Sequence, residues 1–94
     1  MSEWAYAQSK PSDQLAQLHH FTVKKPMTGG GEMEFFVTVR EFATPEDASM
    51  RFFAQTDKQT NQKTAPFTPC GWGSTLLKAL SECILAVHRF PYEG

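Results

Sequence analysis

From Glu32 to Arg40 the chain reads EMEFFVTVR, with Met33, Phe35, Val37 and Val39 on one side and Glu34, Thr38 and Arg40 on the other. Side chains along an extended strand point to opposite faces in turn, so this run predicts a strand half buried in a sheet. Phe36 interrupts the pattern by standing among the polar residues. The run from His19 to Lys25 has the same character, with Phe21 and Val23 on one face and His20, Thr22 and Lys24 on the other. Thr28-Gly29-Gly30-Gly31 separates the two runs. Two alternating segments around a glycine cluster predict a β-hairpin.

Thr44-Pro45-Glu46-Asp47 has the marks of a helix start: a capping hydroxyl, proline in the first position and acids in the first turn. Two continuations are open. Either the helix runs through Phe53, or a single turn leads into a third strand, MRFFAQT. That strand would set Met50, Phe52 and Ala54 on one face and Arg51, Phe53 and Gln55 on the other. Asp57 to Lys63 is polar and reads as a turn. The next segment, TAPFTPCGWG, holds two prolines, which a strand tolerates only at a sheet edge. Ser74 or Thr75 then caps a helix in which Leu76, Leu77, Leu80, Cys83, Ile84 and Val87 recur at helical spacing, with Lys78, Glu82 and Arg89 opposite. Pro91 stops it just beyond Phe90.

These elements predict one α+β domain, an antiparallel β-meander of three to four strands with a C-terminal helix packed across one face. Residues 1–13, polar apart from Trp4 and Tyr6, form a flexible lead-in, and 14–94 form the domain. One helix covers one face of a sheet and leaves the other outward. The inward face is then Phe21, Val23, Met33, Phe35, Val37, Val39, Met50, Phe52 and Ala54. The outward face carries His20, Thr22, Lys24, Glu34, Phe36, Thr38, Arg40, Arg51, Phe53 and Gln55.

Composition sharpens the reading of that outward face. A net charge of −1 argues against a protein that wraps duplex DNA by bulk charge. The outward face, in contrast, is locally basic, and its two phenylalanines stand among cations, hydroxyls and an amide. Single-stranded nucleic-acid platforms use this mixture, with rings for bases and cations for the backbone. The candidate binding set is Lys24, Phe36, Thr38, Arg40, Arg51, Phe53 and Gln55. The order of four strands and a helix is similar to that of the Whirly-type single-stranded DNA binders, in order of elements alone. The same phenylalanines equally suit a homodimer or another protein contact. Cover from within the chain, by Trp4, Tyr6 or residues 44–49, is the third reading.

Candidate chemistry is sparse. The glycine triplet lacks the Lys-Ser/Thr of a phosphate-binding loop and joins two strands. His19 and His20 are adjacent on a strand and point to opposite faces, so they do not form a metal pair. Cys70 lies near the start of the last helix, where the helix dipole favours a thiolate. A nucleophile also needs a base, and His19, His20 and His88 are the candidates, none of them placed by spacing. An enzyme using Cys70 or a histidine is therefore the remaining function class. Cys83 belongs to the core, and Trp72, between two glycines, is expected to seal the core's end. Two cysteines make no disulfide scaffold and read as reduced thiols. The N-terminus lacks a signal-peptide pattern, and no apolar stretch reaches the length of a membrane span. The expectation is a cytoplasmic, non-enzymatic binding domain with no cofactor, metal or membrane contact. Its partner is single-stranded nucleic acid or a second copy of the chain.

Overall fold

The hairpin forms at full length. The computed structural model describes residues 3–27, 29–59 and 67–89. β1 (Ala16–Pro26) pairs antiparallel with β2 (Glu32–Phe42) in an unbroken register from Ala16 opposite Phe42 to Pro26 opposite Glu32. Gly29, Gly30 and Gly31 make the connection with φ of +93°, +107° and +79°, a region open to glycine and costly for other residues. Thr28 lies outside the described residues.

The segment after β2 is the turn followed by a strand. Asp47, not Thr44, caps it: its carboxylate accepts from the Ser49 N–H at 2.8 Å and from the Ser49 hydroxyl at 2.7 Å. The resulting 3-10 turn, Ala48–Met50, ends after three residues, and β3 (Phe52–Thr56) follows. β4 (Cys70–Gly73) lies at the sheet edge, as its upstream prolines require, and the strand order is β1-β2-β3-β4. The rest of the polar turn and the Thr64–Pro66 part of the proline segment fall outside the described residues. α1 (Leu76–Arg89) begins where the Thr75 hydroxyl accepts from the Lys78 N–H at 3.1 Å. Phe90 and Pro91, the expected stop, are not among the described residues. The fold is a four-stranded antiparallel sheet with a C-terminal helix on one face, α+β as the alternation predicts.

Phe35, Val37 and Val39 are fully buried on the helix side, together with Phe52 and Ala54. The phenylalanine and valine side chains among them each contribute roughly 1.5–3 kcal/mol by leaving water. Two expected members of this face are placed differently. Met50 sits in the 3-10 turn rather than in a strand, so it does not follow strand alternation and borders the outer side. Phe21 faces the helix side but stays 36% exposed, because α1 lies mainly over β4 and β3.

Of the expected helix stripe, Cys83 and Val87 are buried and Leu76 and Leu80 pack against the core, but the contact side extends to Ala79 and Ala86 and leaves out Leu77. Leu77 is 74% exposed. Small residues face the sheet because the backbones come very close. A Cβ added to Gly71 would stand 2.6 Å from the Ala79 carbonyl oxygen, and one added to Gly73 would stand 2.7 Å from the Ala79 nitrogen. No leucine fits between them.

Lys25 ties the far end of the hairpin to the end of the helix. It is buried on the inner face, and its Nζ donates to the Val87 carbonyl at 2.6 Å. A cation belongs at that helix terminus, where carbonyls are left without intrahelical partners. Burial nevertheless holds its pKa below the usual lysine value. At the other end of the sheet, Ala43 N–H donates to Leu15 O and Leu15 N–H donates to the Gln8 side chain. Gln8 follows a 3-10 turn, Glu3–Ala7, and also donates to the Thr44 hydroxyl at 3.2 Å. Gln8 and the turn before it are thereby tied to the end of β2.

Candidate functional site

With α1 on one side, strand parity alone determines what the other side displays. Leu18, His20, Thr22 and Lys24 come from β1; Glu34, Phe36, Thr38, Arg40 and Phe42 from β2; Phe53 and Gln55 from β3; Trp72 from β4. Phe36 is 51% exposed and Trp72 42% exposed. The interruption in the opening alternation is thus a ring presented to solvent.

The aromatics form two groups. Near β4, Trp72 packs on Phe53 with ring centroids 4.4 Å apart and stacks over Phe42 at 6.2 Å. Phe53 is half-buried beneath this contact, so the accessible ring of the group is Trp72. Toward the hairpin turn, Phe36 stands alone with the Lys58 ammonium 5.1 Å from its ring centre. That ammonium also donates to the Glu34 carbonyl at 2.9 Å and to Asp57 at 2.8 Å. Asp57 in turn accepts from the Phe36 N–H at 3.0 Å, which fixes the backbone carrying the ring. Partial burial pushes the Asp57 carboxyl up, but the hydrogen bonds from Lys58 and Phe36 outweigh it and hold the pKa below the usual value.

The polar members fill the space between. Arg40 is exposed, with Leu18 across from it on β1 and Phe53 on β3. Thr38 Oγ1 lies 3.4 Å from His20 Nδ1, and Gln55 is exposed between Thr38 and Cys70. Lys24 stands opposite Glu34. Arg51 is displaced from the predicted set. It adopts a helical backbone at the end of the 3-10 turn, so it does not alternate with Phe53. Its guanidinium lies 3.7 Å from Glu41, whose side chain is on the face of Val39 and Phe52. His19 completes that cluster with Nε2 3.1 Å from Glu41.

Trp72 and Phe42 were not in the predicted set, yet parity contained them. The alternation Phe36, Thr38, Arg40 continues directly to Phe42. Two glycines facing the helix oblige the residue between them to face away, so Trp72 does not seal the core. Beside this pair a pocket of about 360 Å³ opens, lined by Leu15, Pro45, Met50 and Glu46 along with both rings. Gln14, at its rim, holds a left-handed backbone with φ of +52°.

The remaining candidate chemistry is not assembled into a site among the described residues. Cys70 opens β4 opposite Gln55 and is separated from the helix start at Leu76 by the rest of the strand and by Ser74 and Thr75. Cys83 is buried with its Sγ 3.6 Å from the Pro69 carbonyl, and burial, with Cys70 nearby, pushes its thiol up to about 12. His19 and His20 face opposite sides. Among the described residues no cluster of three metal-ligating side chains occurs, and no helix is long and apolar enough to cross a membrane. Comparison with known proteins yields no family model, no curated protein and no solved structure that matches this chain.

Proposed function

We propose that the protein is a binding domain that takes single-stranded nucleic acid on the helix-free face of its sheet. The observation that carries this reading is the pair of exposed rings, Trp72 and Phe36, on the same face as Arg40, Lys24, Thr38 and Gln55. Bases stack on such rings irrespective of sequence, each contributing roughly 1–3 kcal/mol. The charge pattern modifies the picture. Lys58 is paired with Asp57 and Arg51 is engaged by Glu41, which leaves Arg40 and Lys24 as the cations without an ion pair among the described residues of this face. Stacking therefore carries the affinity, and its salt dependence is shallow.

Anisotropy of a labelled pyrimidine oligonucleotide, titrated at low and moderate salt, tests this. Trp72→Ala and Phe36→Ala are each expected to weaken binding by about 5- to 150-fold, the equivalent of one stacked base. Arg40→Ala lowers the log–log salt slope by about 0.7, one phosphate contact on a single strand, and Arg51→Ala leaves it unchanged. Absence of binding at low salt would end the reading, since electrostatic attraction is strongest there. A protein contact on the same face is the second reading. The apolar pocket between Trp72, Met50, Leu15 and Pro45 favours it, as it suits a partner's side chain.

A further inference from the structure

β1 is an outermost strand, paired with β2 on one side and, among the described residues, with no strand on the other. Its main-chain groups can be assigned to one side or the other. The Ala43 N–H donates to Leu15 O (2.8 Å) at one end of the hairpin, and the Met27 N–H donates to Gly31 O (3.0 Å) at the other. Both bonds obey the hairpin register, and hydrogen-bonded pairs recur at every second residue of an antiparallel ladder. The odd-numbered residues of β1 therefore turn their N–H and C=O toward β2. Leu18, His20, Thr22 and Lys24 turn theirs to the open side.

Sheets protect such an edge by keeping it short, by bulging it, or by placing proline and charge along it. β1 runs for 11 residues with no bulge. Its lysines and proline are gathered at one end, Lys24-Lys25-Pro26, and Ala16 to Val23 contains neither. The edge is also apolar on both faces, with Leu18 49% exposed on the outer side and Phe21 36% exposed on the helix side.

We propose that β1 pairs antiparallel with β1 of a second copy about a two-fold axis at Phe21, joining two sheets into one of eight strands. In this register Phe21 meets its own counterpart at a non-hydrogen-bonded site, where side chains approach most closely. His20 exchanges both main-chain bonds with Thr22 of the second copy, and Leu18 does so with Lys24. The lysine end of each strand lies against the uncharged start of the other, so like charges do not oppose one another. Parallel pairing in register would set Lys24 and Lys25 beside their own counterparts. The axis is perpendicular to the sheet, so both helix-free faces lie on the same side and form one continuous surface. This inference stands on the edge alone and does not depend on what that surface binds.

Light scattering during size-exclusion chromatography, over a range of concentrations, gives the first test: the wild type is expected to elute with twice the mass of a single chain. Thr22→Pro removes an N–H that faces the open edge and is not used by the β1–β2 ladder, so the fold is retained. Association should weaken at least tenfold. If that variant melts early, Phe21→Lys serves instead, since it places two cations across the axis. Register is read in a Cys70→Ser background, where Phe21→Cys forms an interchain disulfide under mild oxidation and His19→Cys does not. A single-chain mass at every concentration overturns the proposal. So does a dimer that survives Thr22→Pro but dissolves on Trp72→Ala, or a cross-link at position 19 in place of 21. Oligonucleotide binding is scored separately, so either conclusion can fail without the other.

Discussion

Phe36 shows how much a single residue's position in an alternation reveals. Its exposure was legible because nothing in residues 32–42 departs from extended geometry. Arg51 was not legible for the complementary reason: one helical backbone at the end of a short turn cancels the parity that Phe53 obeys. What secures Phe36 is equally local. Asp57 receives its N–H and the Lys58 ammonium at once, and these hydrogen bonds keep the carboxylate ionised to lower pH than its ordinary 3.8. A carboxyl with a depressed folded-state pKa adds stability that is present above the unfolded value and is lost as pH falls through the folded one. The wild type should therefore be more stable than Asp57→Asn at pH 7, and the gap should close below pH 3.8. Denaturant midpoints measured for both proteins across that range decide it. Because the carboxylate is partly exposed, the gap is expected to be small.

At the scale of elements, the hairpin and the helix were legible but their fit was not. Periodicity reports that a helix has an apolar side, and it places Leu77 and Ala79 only by hydropathy. The actual contact side is selected by Gly71 and Gly73 on another strand. Those glycines let the α1 backbone approach until only Ala79 and Cys83 fit opposite. Such a tertiary constraint has no signature in the helix's own sequence, although the Gly-Trp-Gly spacing in β4 carries half of it. Gly71→Ala should cost about 1–3 kcal/mol, since the added methyl meets backbone atoms that cannot rotate away. Leu77→Ala, on an exposed leucine, should stay within about 0.5 kcal/mol. Urea denaturation of the two variants distinguishes this arrangement from the one hydropathy alone suggests, which predicts the reverse order.

On the scale of the molecule, α1 lies mainly across β4 and β3, and the far end of β1 is joined to the end of the helix by a hydrogen bond. Lys25 makes that connection, and nothing in the sequence alone assigns a lysine to the buried face there. Among the described contacts, two effects oppose one another. The Val87 carbonyl at 2.6 Å stabilises the ammonium, and removal from water opposes it. Desolvation prevails, because the pKa lies below the ordinary 10.5. For a base this means that the folded state releases its proton at a lower pH than the unfolded chain does. Between the two values the unfolded state binds more protons, so the contribution of Lys25 to stability rises with pH. Lys25→Met keeps the length of the side chain and removes both the charge and the hydrogen bond. At neutral pH the two proteins should differ little, since the desolvation that methionine avoids offsets the bond it loses. Toward pH 10.5 the wild type should gain on the variant, as its neutral amine keeps the bond to Val87 without the charge. Paired denaturation curves from pH 7 upward measure this difference directly. A wild type that instead loses ground as pH rises would mean that the helix terminus favours the cation more strongly than burial disfavours it.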